Sequence, residues 1–163
     1  MSELADNPRL ARREALITGA LALLLTGLMV LELADWPGVD LSLRRGTDMH
    51  AYLESANGFL QGTWPGDAPY YRAPLYSYVL AVLIVLGRTV TGACLLQAAM
   101  FAGTGMLVYY AAWRTSGRAA ARLAALGLLF YGGAAFFVSV LHSTVLEMFC
   151  AALTLALIAA MRA

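Results

Sequence analysis

Sixteen consecutive residues, Leu16 to Leu31, carry no charge and are mostly Leu and Ala, which limits what this chain can become. Extended to about Ala15–Leu33, the run matches the ~17–25 residues that a helix needs to cross a ~30 Å hydrocarbon layer. Arg9, Arg12 and Arg13 precede it, so residues 1–14 are expected on the cytoplasmic side. The apolar core runs on into Leu31-Glu32 with no small-x-small cleavage site, the pattern of an uncleaved anchor. The rest of the chain is consistent with this. Of its 163 residues 61% are hydrophobic and 13% charged, more apolar surface than one small soluble core can bury. A net charge of +1 gives no basic field for nucleic acid. Cys94 and Cys150 are isolated in apolar stretches and suggest neither a disulfide framework nor a zinc site.

Residues 34–92 are read as one long external loop. Pro37, Gly38, Gly46, Gly62, Pro65, Gly66 and Pro69 mark its turns. Within it, Met49, Tyr52, Leu53, Ala56, Phe59 and Leu60 recur at helical steps, predicting an amphipathic helix over 47–61 that lies on the membrane surface. Thr47 is its N-cap and Gly62 its stop. Pro74–Leu86 is almost wholly apolar, but a helix of that length covers only ~20 Å, too short to span. It is read as a second juxtamembrane or re-entrant helix. Further spans are expected at about 93–113, 123–141 and 145–161. With Pro74–Leu86 at one leaflet, Arg114, Arg118, Arg122 and Arg162 join the N-terminal arginines inside. Were it to cross, that bias would reverse. The expected fold is therefore an all-α integral membrane protein with about four transmembrane helices, in a bacterial or archaeal plasma membrane.

Polar residues able to carry chemistry gather on the external side. Asp48 opens the first loop helix, either as a carboxylate favoured by the helix dipole or as a catalytic base or metal ligand. His50 and His142 are alternatives for metal binding or simple solvation, and no P-loop or dinucleotide fingerprint accompanies them. Glu147 lies where one apolar stretch gives way to the next, and an ionisable group so near hydrocarbon raises a functional question. On the four-span topology it shares a membrane face with Asp48, so two carboxylates would meet over one site. Tyr70, Tyr71, Arg72, Tyr76 and Tyr78 form either an interfacial aromatic belt or a place where Arg72 grips a phosphate and the tyrosines face a sugar or lipid.

The segments Gly46-Thr-Asp48-Met-His-Ala-Tyr52, Ala56-Asn-Gly-Phe-Leu-Gln-Gly62 and Tyr70-Tyr-Arg-Ala-Pro74-Leu-Tyr76-Ser-Tyr78, with Leu146-Glu147, resemble the N-terminal part of the GT-C superfamily of membrane glycosyltransferases. The nearest branch is the protein O-mannosyltransferase and aminoarabinose-transferase type, over about Ala15 to Ala160. The resemblance implies two juxtamembrane helices in the first external loop and a lipid-linked sugar donor, a polyprenyl-phosphate sugar. It assigns the catalytic base to Asp48 and a second acidic role, toward substrate or metal, to Glu147. Donor phosphate and sugar binding would fall to Arg72, Tyr71 and Tyr52, and a divalent metal is an option. Two positions depart from the family pattern: Met49 stands where a second acidic residue often follows the base, and Tyr71 where one branch has a metal-binding Glu. Family members are also several times longer. The alternative is a non-catalytic membrane subunit that packs into a larger complex, or a chain that needs other membrane subunits or a C-terminal half. A small transporter fits less well, because no ionisable residue falls in the middle of a span.

Overall fold

The computed structural model describes residues 7–34, 46–63 and 73–161, and every regular element among them is helical. Three helices are long and apolar enough to cross a membrane: α1 (Pro8–Ala34), α4 (Val90–Leu129) and α6 (Thr144–Met161). Two short helices, α2 (Asp48–Leu60) and α3 (Pro74–Gly87), precede α4, and a seven-residue helix, α5 (Gly132–Val138), precedes α6.

Local chemistry sets the helix ends. The Asn7 side chain accepts the Arg9 backbone N–H at 3.0 Å, and Pro8 follows in the first turn of α1, where a missing N–H costs nothing. Thr47 caps α2 by accepting the His50 N–H at 3.2 Å, and Gly62, at φ 70°, takes the chain out of the helix. At the end of α3, Arg88 adopts φ 61°, and Thr89 then caps α4 through the Gly92 N–H at 2.9 Å. This turn is very tight. A Cβ on Gly92 would lie 2.1 Å from the Gly87 carbonyl oxygen, so only glycine fits there.

Small residues hold α1 against α4. The buried stripe of α1 is Ala11, Thr18, Gly19, Ala22, Thr26 and Val30. A Cβ on Gly19 would come within 2.7 Å of Met106, and one on Gly105 would touch Thr18 at 3.4 Å. Close backbone approach of this kind is how helices associate where the surroundings are as apolar as the side chains. The other flank of α1 exposes Leu16, Leu24, Leu25, Leu28 and Leu31, which suits a lipid-facing surface.

Inside α4, Gly117 alone has non-helical angles, φ 81° and ψ 178°. A Cβ on Gly105 would stand 3.7 Å from Leu128. A straight helix would put those residues ~35 Å apart, so the chain reverses at Gly117. The return leg is not the unbroken span expected at 123–141. Its helix stops at Leu129, passes a break at Phe130–Tyr131 and resumes as α5. Gly132 and Gly133 open α5. Two successive glycines hold helical backbone weakly, and a Cβ at Gly132 would meet nothing within 4 Å. Two buried carbonyls, at the end of α5 and just past it, find a buried partner. Gln97 of α4 donates to Val138 O at 3.2 Å and Val140 O at 2.9 Å. Irregular backbone buried away from water persists only when protein groups satisfy it in this way.

Candidate functional site

α2 and α3 pack together, and α3 packs on α4. One large core runs through Met49, Tyr52 and Ala56 of α2, Tyr76 and Leu80 of α3, Ala98 of α4, and Leu141 and Val145 around the start of α6. Burying that stripe of α2 fixes which way its first turn faces. Asp48 thereby comes beside the turn between α5 and α6, with its Oδ2 3.6 Å from Nε2 of His142. The separation is within ion-pair range and slightly long for a direct hydrogen bond.

The His142 ring is tightly placed. The Thr144 backbone N–H, at the start of α6, donates to its Nδ1 at 3.2 Å, and the Thr144 hydroxyl lies 2.8 Å from the same nitrogen. Because Nδ1 accepts, the proton of the neutral ring sits on Nε2, toward Asp48. Tyr52 stands edge-on to the imidazole at 6.0 Å between ring centres, and Phe137 lies on another side at 5.0 Å. Tyr52 in turn meets Tyr76 edge-to-face at 4.7 Å. The Tyr76 hydroxyl donates to Gln97 Oε1 at 2.5 Å, and burial raises its pKa above the usual phenol range, so it remains a donor. One polar chain thus links α3, α4 and the α5–α6 turn directly beneath the Asp48–His142 pair.

The structure brings together Asp48, Tyr52, Tyr76 and His142 of the residues singled out from sequence. His142 is a packed ring beside Asp48, its side chain 27% exposed. His50 points along its own helix, with Nε2 4.0 Å from Glu54. Glu147 is exposed in the first turn of α6. The carboxylate of Asp48 lies against the imidazole of His142. Tyr71 and Arg72 lie outside the described residues. Among those described, no three His, Cys, Asp or Glu side chains converge as metal ligands.

A second polar cluster, at the opposite end of the bundle, was not anticipated. Glu14 accepts from the Tyr109 hydroxyl and from the guanidiniums of Arg118 and Arg122, the last at 2.6 Å. Its signal was a lone carboxylate following three arginines at the mouth of an apolar run, and its partners lie about a hundred residues away. Compared with protein families, curated proteins and solved structures, the chain matches none.

Proposed function

We propose that this chain is a membrane glycosyltransferase, or the N-terminal part of one, that moves a sugar from a polyprenyl-phosphate carrier to an acceptor hydroxyl at the extracytoplasmic face. The single observation behind this reading is the Asp48–His142 pair, held over an aromatic floor by elements far apart in sequence. Asp48, with its side chain 57% exposed, is open to an incoming hydroxyl. His142 Nε2 stands 3.6 Å from one carboxylate oxygen and fixes the side of Asp48 on which the imidazole lies.

The acceptor O–H gives its proton to Asp48 as its oxygen bonds to the anomeric carbon. The bond from that carbon to the phosphate oxygen breaks, and its electron pair leaves on the lipid phosphate. Attack from the face opposite the leaving group inverts the anomeric centre. The sequence-level expectation that Arg72 steadies the phosphate and Tyr52 and Tyr71 the donor belongs to the same proposal.

The test is transfer by the chain in proteoliposomes supplied with polyprenyl-phosphate mannose or polyprenyl-phosphate aminoarabinose. Transfer that disappears in Asp48→Asn supports the reading. Undiminished transfer in Asp48→Asn removes Asp48 as the base. A stoichiometric complex with other membrane proteins and no transfer favours the subunit alternative.

A further inference from the structure

At the end of the bundle away from Asp48, an apolar groove of about 400 Å³ opens between α1 and α4. Ala11, Ala15 and Leu16 form one wall and Leu107, Tyr110 and Trp113 the other. The volume lies within the range of natural ligand pockets. The Tyr109 hydroxyl is engaged elsewhere: it donates to Glu14, which also holds Arg118 and Arg122.

The rim is cationic. Arg12 lines the groove, and Arg9 and Arg13 sit three residues before it and one after, all exposed on α1. Across the groove, the Arg114 guanidinium stands 5.8 Å from the Trp113 ring centre. An aromatic ring beside arginines is the usual composition at the headgroup level of a membrane. Basic pockets between membrane helices on the cytoplasmic side select anionic headgroups.

From this charge complementarity we infer that the groove binds an anionic phospholipid of the cytoplasmic leaflet, with one acyl chain between α1 and α4 and its phosphate at Arg12 and Arg114. A soluble anion would make no use of the carbon-lined cleft, and a neutral lipid would make no use of the rim. The site is independent of the Asp48–His142 pair.

Trp113 is a built-in reporter. The chain has three tryptophans, so Trp36→Phe with Trp64→Phe leaves Trp113 alone in the groove. That variant is placed in vesicles of phosphatidylcholine containing a small mole fraction of either brominated phosphatidylglycerol or brominated phosphatidylcholine. Half-maximal quenching is expected at a severalfold lower fraction of the anionic lipid. Adding Arg12→Gln and Arg114→Gln, both at exposed positions, should bring the two curves together while the helical circular dichroism is unchanged. Equal quenching by the two lipids before those changes overturns the inference. So does a preference that survives the removal of both arginines.

Discussion

Asp48 reaches its place because Met49, Tyr52 and Ala56 bury one stripe of α2, and His142 reaches it because the Thr144 N–H pins Nδ1. The two side chains do different work in the proposed transfer, and their variants should separate accordingly. Asp48→Asn keeps the shape and the helix start but cannot take a proton, so kcat should fall by about 10²–10⁴-fold, the usual worth of general-base catalysis. His142→Gln keeps a polar neighbour and loses only the fixed orientation, for an expected loss of about 10–100-fold. Steady-state rates of both variants on one donor check the order, and a His142 variant as damaged as Asp48→Asn would make the imidazole the base. Asp48 was legible in the sequence because a carboxylate one residue after Thr47, at the start of an amphipathic run, identifies itself locally. The contact of His142 was not, because its partners Asp48 and Tyr52 come from α2, about ninety residues earlier, and Phe137 from α5, and nothing within a few residues of it announces the contact.

Among the elements, the return leg depends on two features, a reversal and a break, and each has its own test. Gly117 sits at φ 81°, a conformation that costs a side-chain-bearing residue ~1–3 kcal/mol. A Gly117→Val chain should therefore unfold at a lower temperature in detergent, although its Cβ would meet nothing within 4 Å. The absence of any clash makes backbone strain the sole expected cause. At the break, Gln97 serves two carbonyls and the Tyr76 hydroxyl. Gln97→Leu strands all three, at about 1–3 kcal/mol for each buried group left unsatisfied. Tyr76→Phe removes a single donor and should cost less. Combined, the two substitutions should cost less than their sum, a coupling that thermal unfolding of the four chains would measure. The sequence showed these helices more clearly than their ends. Arginines at 114, 118 and 122 suggested a loop between two spans. Instead Arg118 and Arg122, one helical turn apart, close on the same Glu14, and a single glycine makes the turn.

On the scale of the whole molecule, the two polar clusters lie at opposite ends of the first leg of α4, residues 90–116. The leg from 90 to 116 is helical throughout and would extend ~40 Å, more than the ~30 Å hydrocarbon thickness. Gln97 near its start looks toward the Asp48–His142 pair, and Tyr109 near its end reaches Glu14. Once this leg crosses, the two clusters occupy different compartments. The many exposed leucines of α1 and α6 make that crossing the favourable arrangement, since water would leave them all hydrated. By charge bias, the end that carries the arginines beside Glu14 is expected in the cytoplasm. Cysteine labelling can decide this. With Cys94→Ser and Cys150→Ser as background, Asn57→Cys on α2, Glu147→Cys on α6 and Ser116→Cys beside the reversal each introduce a thiol at an exposed position. A membrane-impermeant maleimide added to intact cells should label positions 57 and 147, and position 116 only after the membrane is opened. Labelling of 57 and 116 from the same side would mean that the first leg of α4 does not cross. Labelling of 57 and 147 from different sides would separate α2 from the start of α6, and with them the carboxylate from the imidazole on which the proposed chemistry depends.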